Sequence, residues 1–160
     1  MAFRLVLIAL VFFAIPLLQP ADARPVVKTV WKYYPITGRT SRQLINQMRR
    51  KGPQGYWAFA RWYVRWSGTC RTSVRITYTF PRWVDKNRAP ASLRKAWDRM
   101  IRNLKRHERG HGQHGINAAR EIEKSRCRFD PKRITRKWAA QDKIYDRRTR
   151  HGITQGVRLP

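Results

Sequence analysis

Hydrophobic and polar positions alternate with a period of two in three segments of the chain. Residues 26–36 are rich in β-branched and aromatic side chains and predict a strand. In residues 56–66 the even positions are apolar, and in residues 71–80 apolar and polar positions alternate up to Pro81. Residues 67–69 are typical of a turn, so the last two strands are expected to form an antiparallel hairpin ended by Pro81. We therefore predict a small, mainly antiparallel sheet.

Apolar residues spaced by three and four predict three helices. Thr40 and Gln43 have the spacing of a capping box and predict the start of a short helix, which stops at Gly52. A long helix extends from about residue 92 to about residue 125, and a last helix starts at Asp130. We expect residues 24–160 to form one α+β domain, with the sheet packed on the long helix and the C-terminal helix closing the site.

The apolar stripe of the long helix leads into a series of histidines. It comprises Leu93, Trp97, Met100 and Leu104, and the same steps continue through His107, His111, His114 and Ala118. One histidine on such a stripe is usually a core residue satisfied by a hydrogen bond. Three on one buried stripe favour a shared partner, because each must find a polar contact away from water.

The series contains the pattern His-Glu-x-x-His, formed by His107, Glu108, Arg109, Gly110 and His111. Two histidines four residues apart on a helix share one face and can hold a single zinc ion. The adjacent glutamate is placed to take a proton from zinc-activated water and to pass it to a leaving amine. The pattern therefore predicts one Zn²⁺ on His107 and His111, with Glu108 as general base.

A catalytic zinc keeps three protein ligands and one open position, so a third ligand must be found. We favour His151, the one histidine that follows the last helix. Asp146 competes, either as a ligand or as a carboxylate that orients a ligand histidine. His114 also competes, but a straight helix places it about 10 Å from His107, so it fits only if the helix breaks. Tyr145 is a candidate hydrogen-bond donor to the oxyanion, with a core tyrosine as the alternative.

The start of the chain has the features of a signal peptide. A basic residue precedes an apolar run, and Ala21 and Ala23 lie where signal peptidase reads small residues. We expect residues 1–23 to be removed, which leaves a secreted or periplasmic protein without a transmembrane span. In an oxidising compartment Cys70 and Cys127 are expected to form a disulfide; zinc binding is the alternative, although a C-x-x-C spacing is lacking.

The formal net charge of +27 changes the range of partners. A field of this sign attracts anionic polymers, and its spread along the chain is typical of a surface that aids adsorption. We expect a peptide or protein substrate and anionic envelope polymers as partners, and no specific nucleic acid. Seven tryptophans would also suit stacking on sugars or bases, but most fall at core-like positions.

Several motifs together resemble a bacterial family, domain of unknown function 922, over nearly the whole chain after residue 23. They are Tyr34-Pro35-Ile36-Thr37-Gly38, Gly52-Pro53, Cys70, residues 77–83, Trp97, His107-Glu108-x-Gly110-His111, Cys127, and Tyr145-Asp146-x-x-Thr149-x-His151-Gly152-x-x-Gln155-Gly156. The resemblance implies a secreted or periplasmic zinc-dependent protease with His107 and His111 on zinc and Glu108 as base.

These sequence patterns are compatible with two functions of different classes. The favoured one is a secreted zinc-dependent peptidase in a minimal zincin-like fold. The alternative is a non-catalytic cationic protein that binds anionic envelope polymers or nucleic acid and uses any metal as a structural clip. Hydrolysis of a non-protein amide, such as a peptidoglycan cross-link, is a third possibility for which the sequence has no distinguishing residue.

Overall fold

The computed structural model describes residues 24–160, which form a three-stranded sheet and three α-helices. The strands are β1 (Val26–Ile36), β2 (Phe59–Trp66) and β3 (Thr72–Trp83); the helices are α1 (Ser41–Lys51), α2 (Ala91–Lys124) and α3 (Pro131–Thr149). The α+β class is confirmed. The predicted signal peptide, residues 1–23, lies outside the described residues.

The sheet has the strand order β1-β3-β2, with β3 in the centre. β3 pairs antiparallel with β2, which confirms the hairpin, but parallel with β1. The sheet is therefore mixed, and the expectation of a mainly antiparallel sheet is corrected. Alternation along a strand shows which face is buried, but it carries no information on the direction of the neighbouring strand.

β3 continues past Pro81 to Trp83, beyond the predicted end of the strand at residue 80, although the antiparallel hairpin itself ends before Pro81 as predicted. Pairing with β2 ends where Phe59 meets Thr79, whereas pairing with β1 continues through Pro81. The proline thus lies where β3 has a neighbour on one side only. Its missing N–H costs no hydrogen bond to β2, which is why it is tolerated inside the strand.

α2 packs its apolar stripe on the inner face of the sheet and runs antiparallel to β3. The ring of Trp97 lies 5.4 Å from that of Trp83 near the start of the helix. Near its end, the Thr72 hydroxyl donates to the Ala119 carbonyl over 3.3 Å. Phe80 and Met100 are fully buried in the core between these two points.

Three glycines in α2 allow close packing and do not break the helix, which is continuous from Ala91 to Lys124. A Cβ at Gly112 would lie 1.9 Å from the Tyr78 hydroxyl oxygen, and one at Gly115 would lie 2.7 Å from the Trp62 ring. These positions therefore admit sheet side chains that a larger residue would exclude.

A disulfide links Cys70, in the β2–β3 turn, to Cys127, in the loop between α2 and α3, as predicted. The two cysteines are separated by 57 residues, and closing a loop of that size stabilises the fold by about 4 kcal/mol, chiefly by restricting the unfolded chain. After this loop, the Asp130 carboxylate accepts a hydrogen bond from the Lys132 N–H and caps α3. Within residues 24–160 no helix is long and apolar enough to cross a membrane.

Candidate metal centre

Most of the predicted site residues line a cleft of about 570 Å³. α2 contributes His107, Glu108 and His111, and all three side chains are buried. α3 contributes Asp146, and residues 56–60, which lead into β2 and form its first two positions, are another part of the lining. The cleft therefore opens where three separate elements of the fold meet.

Three potential ligand atoms converge in this cleft. The Nε2 atoms of His107 and His111 are 3.4 Å apart, and the Asp146 Oδ1 lies 3.2 Å from the first and 3.1 Å from the second. Ligand atoms around a tetrahedral zinc, with bonds of 2.0 to 2.1 Å, are about 3.3 Å apart. The triangle therefore has the size of one face of a zinc site, and two imidazoles with one carboxylate are a ligand set that suits zinc.

The far nitrogen of each imidazole is held by a polar side chain. The Nδ1 of His107 donates to the Gln155 Oε1 over 2.9 Å, and the Nδ1 of His111 donates to the Asp142 Oδ1 over 3.0 Å. Hydrogen bonds of this kind place the proton on Nδ1 and leave the Nε2 lone pair for a metal. Both rings are thus oriented as metal-bound imidazoles usually are.

Asp142 and Gln155 are functional candidates to which the sequence assigned no role, although Gln155 belongs to the C-terminal motif that carries the resemblance. Asp142 lies four residues before Asp146, and that spacing alone would have placed both carboxylates on one face of α3. Gln155 comes from a short 3₁₀ helix, Ile153–Gln155, that follows α3. Its approach to His107 depends on how the chain turns after α3, so no local pattern reveals it.

That turn is made by three successive residues with left-handed backbone angles. Arg150, His151 and Gly152 have φ values of 48°, 52° and 84°. A Cβ at Gly152 would lie 2.7 Å from Val157 and 3.1 Å from the His107 ring. Glycine here satisfies both the backbone angle and the close approach, and it allows the 3₁₀ helix to fold back onto α2.

His111, His114 and Asp142 form a second group of potential metal ligands, but their distances are those of a hydrogen-bond network. The Asp142 carboxylate accepts hydrogen bonds from the Nδ1 of His111, from the Nδ1 of His114 over 2.6 Å, and from the Trp62 indole over 2.8 Å. A separation of 2.6 Å is that of a hydrogen bond and is shorter than the spacing of about 3.3 Å between ligands of one zinc. Because α2 is continuous, His114 also stays away from His107.

The structure places the other predicted residues around the three converging atoms. His151 lines the cleft, but its side chain is 57% exposed and its Nδ1 is 3.6 Å from the Asp146 Oδ1. Tyr145 stacks its ring on His107 at 5.0 Å, and its hydroxyl accepts a hydrogen bond from the Gln155 amide over 3.0 Å. Asp146, the competing candidate, is therefore the residue that the fold brings to the two histidines.

Burial and the neighbouring charges set the protonation of the cluster. Burial raises the pKa of Glu108 to about 7, although the charges of His111 and His107 oppose the shift. Burial would lower the pKa of His111, but hydrogen bonds to Asp142 and Asp146 raise it to about 10. Burial would raise the pKa of Asp146, but hydrogen bonds from His107 and His111 hold it well below its usual range. At neutral pH the metal-free cluster thus keeps a proton on His111.

A comparison with family models places this arrangement in a known group of sequences. The model described as "Bacterial protein of unknown function (DUF922)" matches residues 31–152. This span includes His107, Glu108, His111 and Asp146 and stops short of Gln155. No curated protein and no solved structure gives a match. Since the matched span covers most of the chain, the protein belongs to the DUF922 family of bacterial proteins.

Proposed function

We propose that this protein is a zinc-dependent peptidase with His107, His111 and Asp146 as the metal ligands. The observation that carries the proposal is the triangle of two Nε2 atoms and one carboxylate oxygen, 3.1 to 3.4 Å apart, beside the buried carboxyl of Glu108. In this proposal Asp146 takes the position for which the sequence favoured His151, because the ligand atoms that come together with the two Nε2 atoms include the Asp146 Oδ1 and not a nitrogen of His151.

A bound zinc would supply Lewis acidity toward a carbonyl oxygen and toward water in the cleft. The Glu108 side chain lines the same cleft, and its pKa of about 7 suits a group that both accepts and releases protons near neutral pH. Its carboxylate takes the proton of the attacking water and delivers it to the nitrogen of the departing amine.

The free edge of β2 offers a binding position for an extended peptide. Within residues 24–160, β2 pairs with β3 only, so its other edge has unpaired backbone groups. Ala60 of this strand lines the same cleft as Glu108, so this part of β2 lies beside the site. A substrate strand can therefore add to the sheet beside the glutamate. The apolar residues Leu104, Val157 and Leu159 line the cleft and can accept an apolar side chain.

His151 and Tyr145 receive distinct roles in this proposal. His151 lies in the cleft lining and is partly exposed, so we assign it as a hydrogen-bond donor to the substrate carbonyl oxygen. Tyr145 acts through Gln155, because its hydroxyl is bound to the same amide that accepts the His107 Nδ1–H. We therefore assign Tyr145 as a positioning residue for His107.

The substitution Glu108→Gln tests the mechanism. We expect it to keep about one zinc per chain and to lower peptide cleavage by about 10² to 10⁴-fold, because the amide cannot accept the proton of water. Zinc is measured by elemental mass spectrometry, and cleavage with a mixture of fluorogenic peptides.

Glu121→Gln is the matched control, because Glu121 lies further along α2 and pairs with Lys137 of α3. It should change neither quantity appreciably. Full activity in Glu108→Gln would overturn the mechanism, and loss of zinc in that variant would show that the glutamate has a structural role.

We also propose that the protein is exported and that residues 1–23 are its signal peptide. The Cys70–Cys127 disulfide is compatible with an oxidising compartment. N-terminal sequencing of the exported protein should begin at Arg24, and a retained Met1 would contradict this assignment.

A further inference from the structure

The exposed side of α2 has a continuous line of positive charge. Between Leu93 and Gly112 the exposed positions of this helix are Lys95, Arg99, Arg102, Arg106 and Arg109, so each of them is basic. Their steps of four and three keep them within an arc of about 80° and spread them over about 21 Å of helix. We refer to these five residues as the basic stripe.

The charge of the basic stripe is not balanced by the carboxylates of the described residues. None of the five takes part in an ion pair within residues 24–160. The two acidic residues on this part of α2 are engaged elsewhere, since Asp98 pairs with Lys86 and Glu108 is buried in the cleft. The stripe therefore presents an unscreened line of cations to solvent.

Two exposed aromatic rings accompany one end of the basic stripe. The guanidinium of Arg109 lies over the Trp31 ring, 6.0 Å from its centroid, and this ring is 42% exposed. Tyr33, on the same face of β1, is 52% exposed. β1 runs parallel to β3, and α2 runs antiparallel to β3, so β1 and α2 run in opposite directions. Going from Trp31 to Tyr33 along β1 therefore leads in the same direction as going from Arg109 to Arg106 along α2.

We propose that the basic stripe, with Trp31 and Tyr33, binds single-stranded nucleic acid without reading its sequence. Guanidinium groups match phosphate oxygens with two parallel hydrogen bonds, and four of the five stripe residues are arginines. A single strand can place its phosphates along a straight line while its bases stack on rings at one side, whereas the bases of a duplex are already stacked on one another.

This surface is separate from the proposed peptidase site. The basic stripe is on the exposed side of α2, and His107 and His111 are on its buried side. Binding of a nucleic acid therefore neither requires nor blocks the metal cluster. The protein can hold a polyanion on one side of the helix while its cleft stays open on the other.

The first experiment measures binding of a fluorescent oligo-dT to the protein by anisotropy over a range of salt concentrations. Replacing Arg99, Arg102 and Arg106 by Gln should weaken binding at least tenfold and reduce the salt slope by about 2, because each phosphate contact on a single strand contributes about 0.7. The matched control replaces Arg133, Lys143 and Arg147 of α3, which are also exposed, by Gln. It changes the net charge equally and should weaken binding less than threefold.

The second experiment separates base stacking from charge. Trp31→Leu should weaken binding of oligo-dT about fivefold or more and leave binding of an abasic phosphodiester of equal length unchanged. Tyr33→Leu provides a second variant, and circular dichroism with zinc content verifies the fold of each. Equal losses in the two triple variants would overturn the proposal in favour of whole-molecule charge. Equal affinity for the abasic polymer, unaffected by either aromatic variant, would overturn it in favour of a general polyanion surface.

Discussion

At the scale of single residues, the cluster is organised by which nitrogen of each imidazole is occupied. Gln155 and Asp142 take the Nδ1 atoms, so both Nε2 atoms face Asp146. His107 and His111 follow directly from the His-Glu-x-x-His spacing. The three residues that complete the arrangement come from α3 and from the segment after it, and of these the sequence predicts only Asp146 as a candidate ligand.

The choice between Asp146 and His151 as third ligand gives the first residue-scale prediction. Asp146→Asn should weaken zinc binding by more than about 100-fold, because it removes a charged ligand whose oxygen lies 3.1 and 3.2 Å from the two Nε2 atoms. His151→Ala should keep the metal and lower the rate of cleavage. Zinc affinity is measured by competition with a chromophoric chelator. Loss of zinc from His151→Ala, with zinc retained by Asp146→Asn, would instead identify His151 as the third ligand.

The shifted pKa values predict how pH affects the metal-free protein. His111, with a pKa of about 10 against the ordinary 6.5, and Glu108, with about 7 against 4.5, keep protons in the folded state that the unfolded chain releases. The folded state then binds more protons, so its stability falls as pH rises from about 5 to about 8. The Glu108 shift alone corresponds to about 3 kcal/mol.

Thermal unfolding at pH 5, 6.5 and 8, with and without zinc, tests this prediction. Zinc should reverse the trend, because the metal binds only to deprotonated ligands and stabilises the fold more at higher pH. A metal-free protein that becomes more stable between pH 5 and pH 8 would be inconsistent with the protonated cluster.

At the scale of elements, the distance between α2 and the sheet decides both stability and the shape of the site. Gly115 admits Trp62 of β2, and the Trp62 indole donates to Asp142, which in turn orients His111. A glycine in the middle of a helix usually makes the helix less stable, because glycine has a low helix propensity. Here it permits a contact between helix and strand that supports the cluster of histidines and aspartates.

Gly115→Ala should therefore lower the free energy of unfolding by about 1 to 2 kcal/mol, since overpacking outweighs the gain in helix propensity. It should also weaken zinc binding, because Trp62 and Asp142 must shift. Gly68→Ala is the matched control, as a Cβ there meets nothing within 4 Å. Chemical denaturation and zinc competition measure the two effects. Equal free energies of unfolding for the two variants would show that Trp62 and its strand can move away from the added methyl group without loss of stability.

At the scale of the whole molecule, one covalent link holds the far ends of α2 and the sheet together. The Cys70–Cys127 bond joins two loops, and its cysteines pack near Ile122 at the end of α2, away from the cleft. This position suits a protein whose +27 charge favours expansion of the chain.

Replacing both cysteines by Ser should lower the free energy of unfolding by about 4 kcal/mol. Zinc content at room temperature should stay near that of the native protein, because the disulfide packs with apolar residues and away from the residues proposed as metal ligands. Denaturant unfolding measures the loss, and the native protein unfolded under reducing conditions serves as the control with the same broken link. Loss of zinc from the folded double variant would show that the bond also shapes the cleft.

The sequence by itself determined what depends on near neighbours along the chain. The capped helices, the alternation in the β2–β3 hairpin and the shared face of His107 and His111 are set by residues a few positions apart. The disulfide also followed from the sequence, because two cysteines allow a single pairing.

Only the tertiary structure decided what depends on how elements lie side by side. The parallel pairing of β1 with β3, the approach of Asp146 to the two histidines and the hydrogen bonds of Asp142 and Gln155 all join segments that are distant in the sequence. No local periodicity specifies these contacts, because they are set by the packing of α3 on α2 and by the left-handed turn at Arg150, His151 and Gly152. His151 belongs to that turn, yet the packing of α3 on α2 brings Asp146 to the two histidines, and His151 is left at the solvent-exposed part of the cleft.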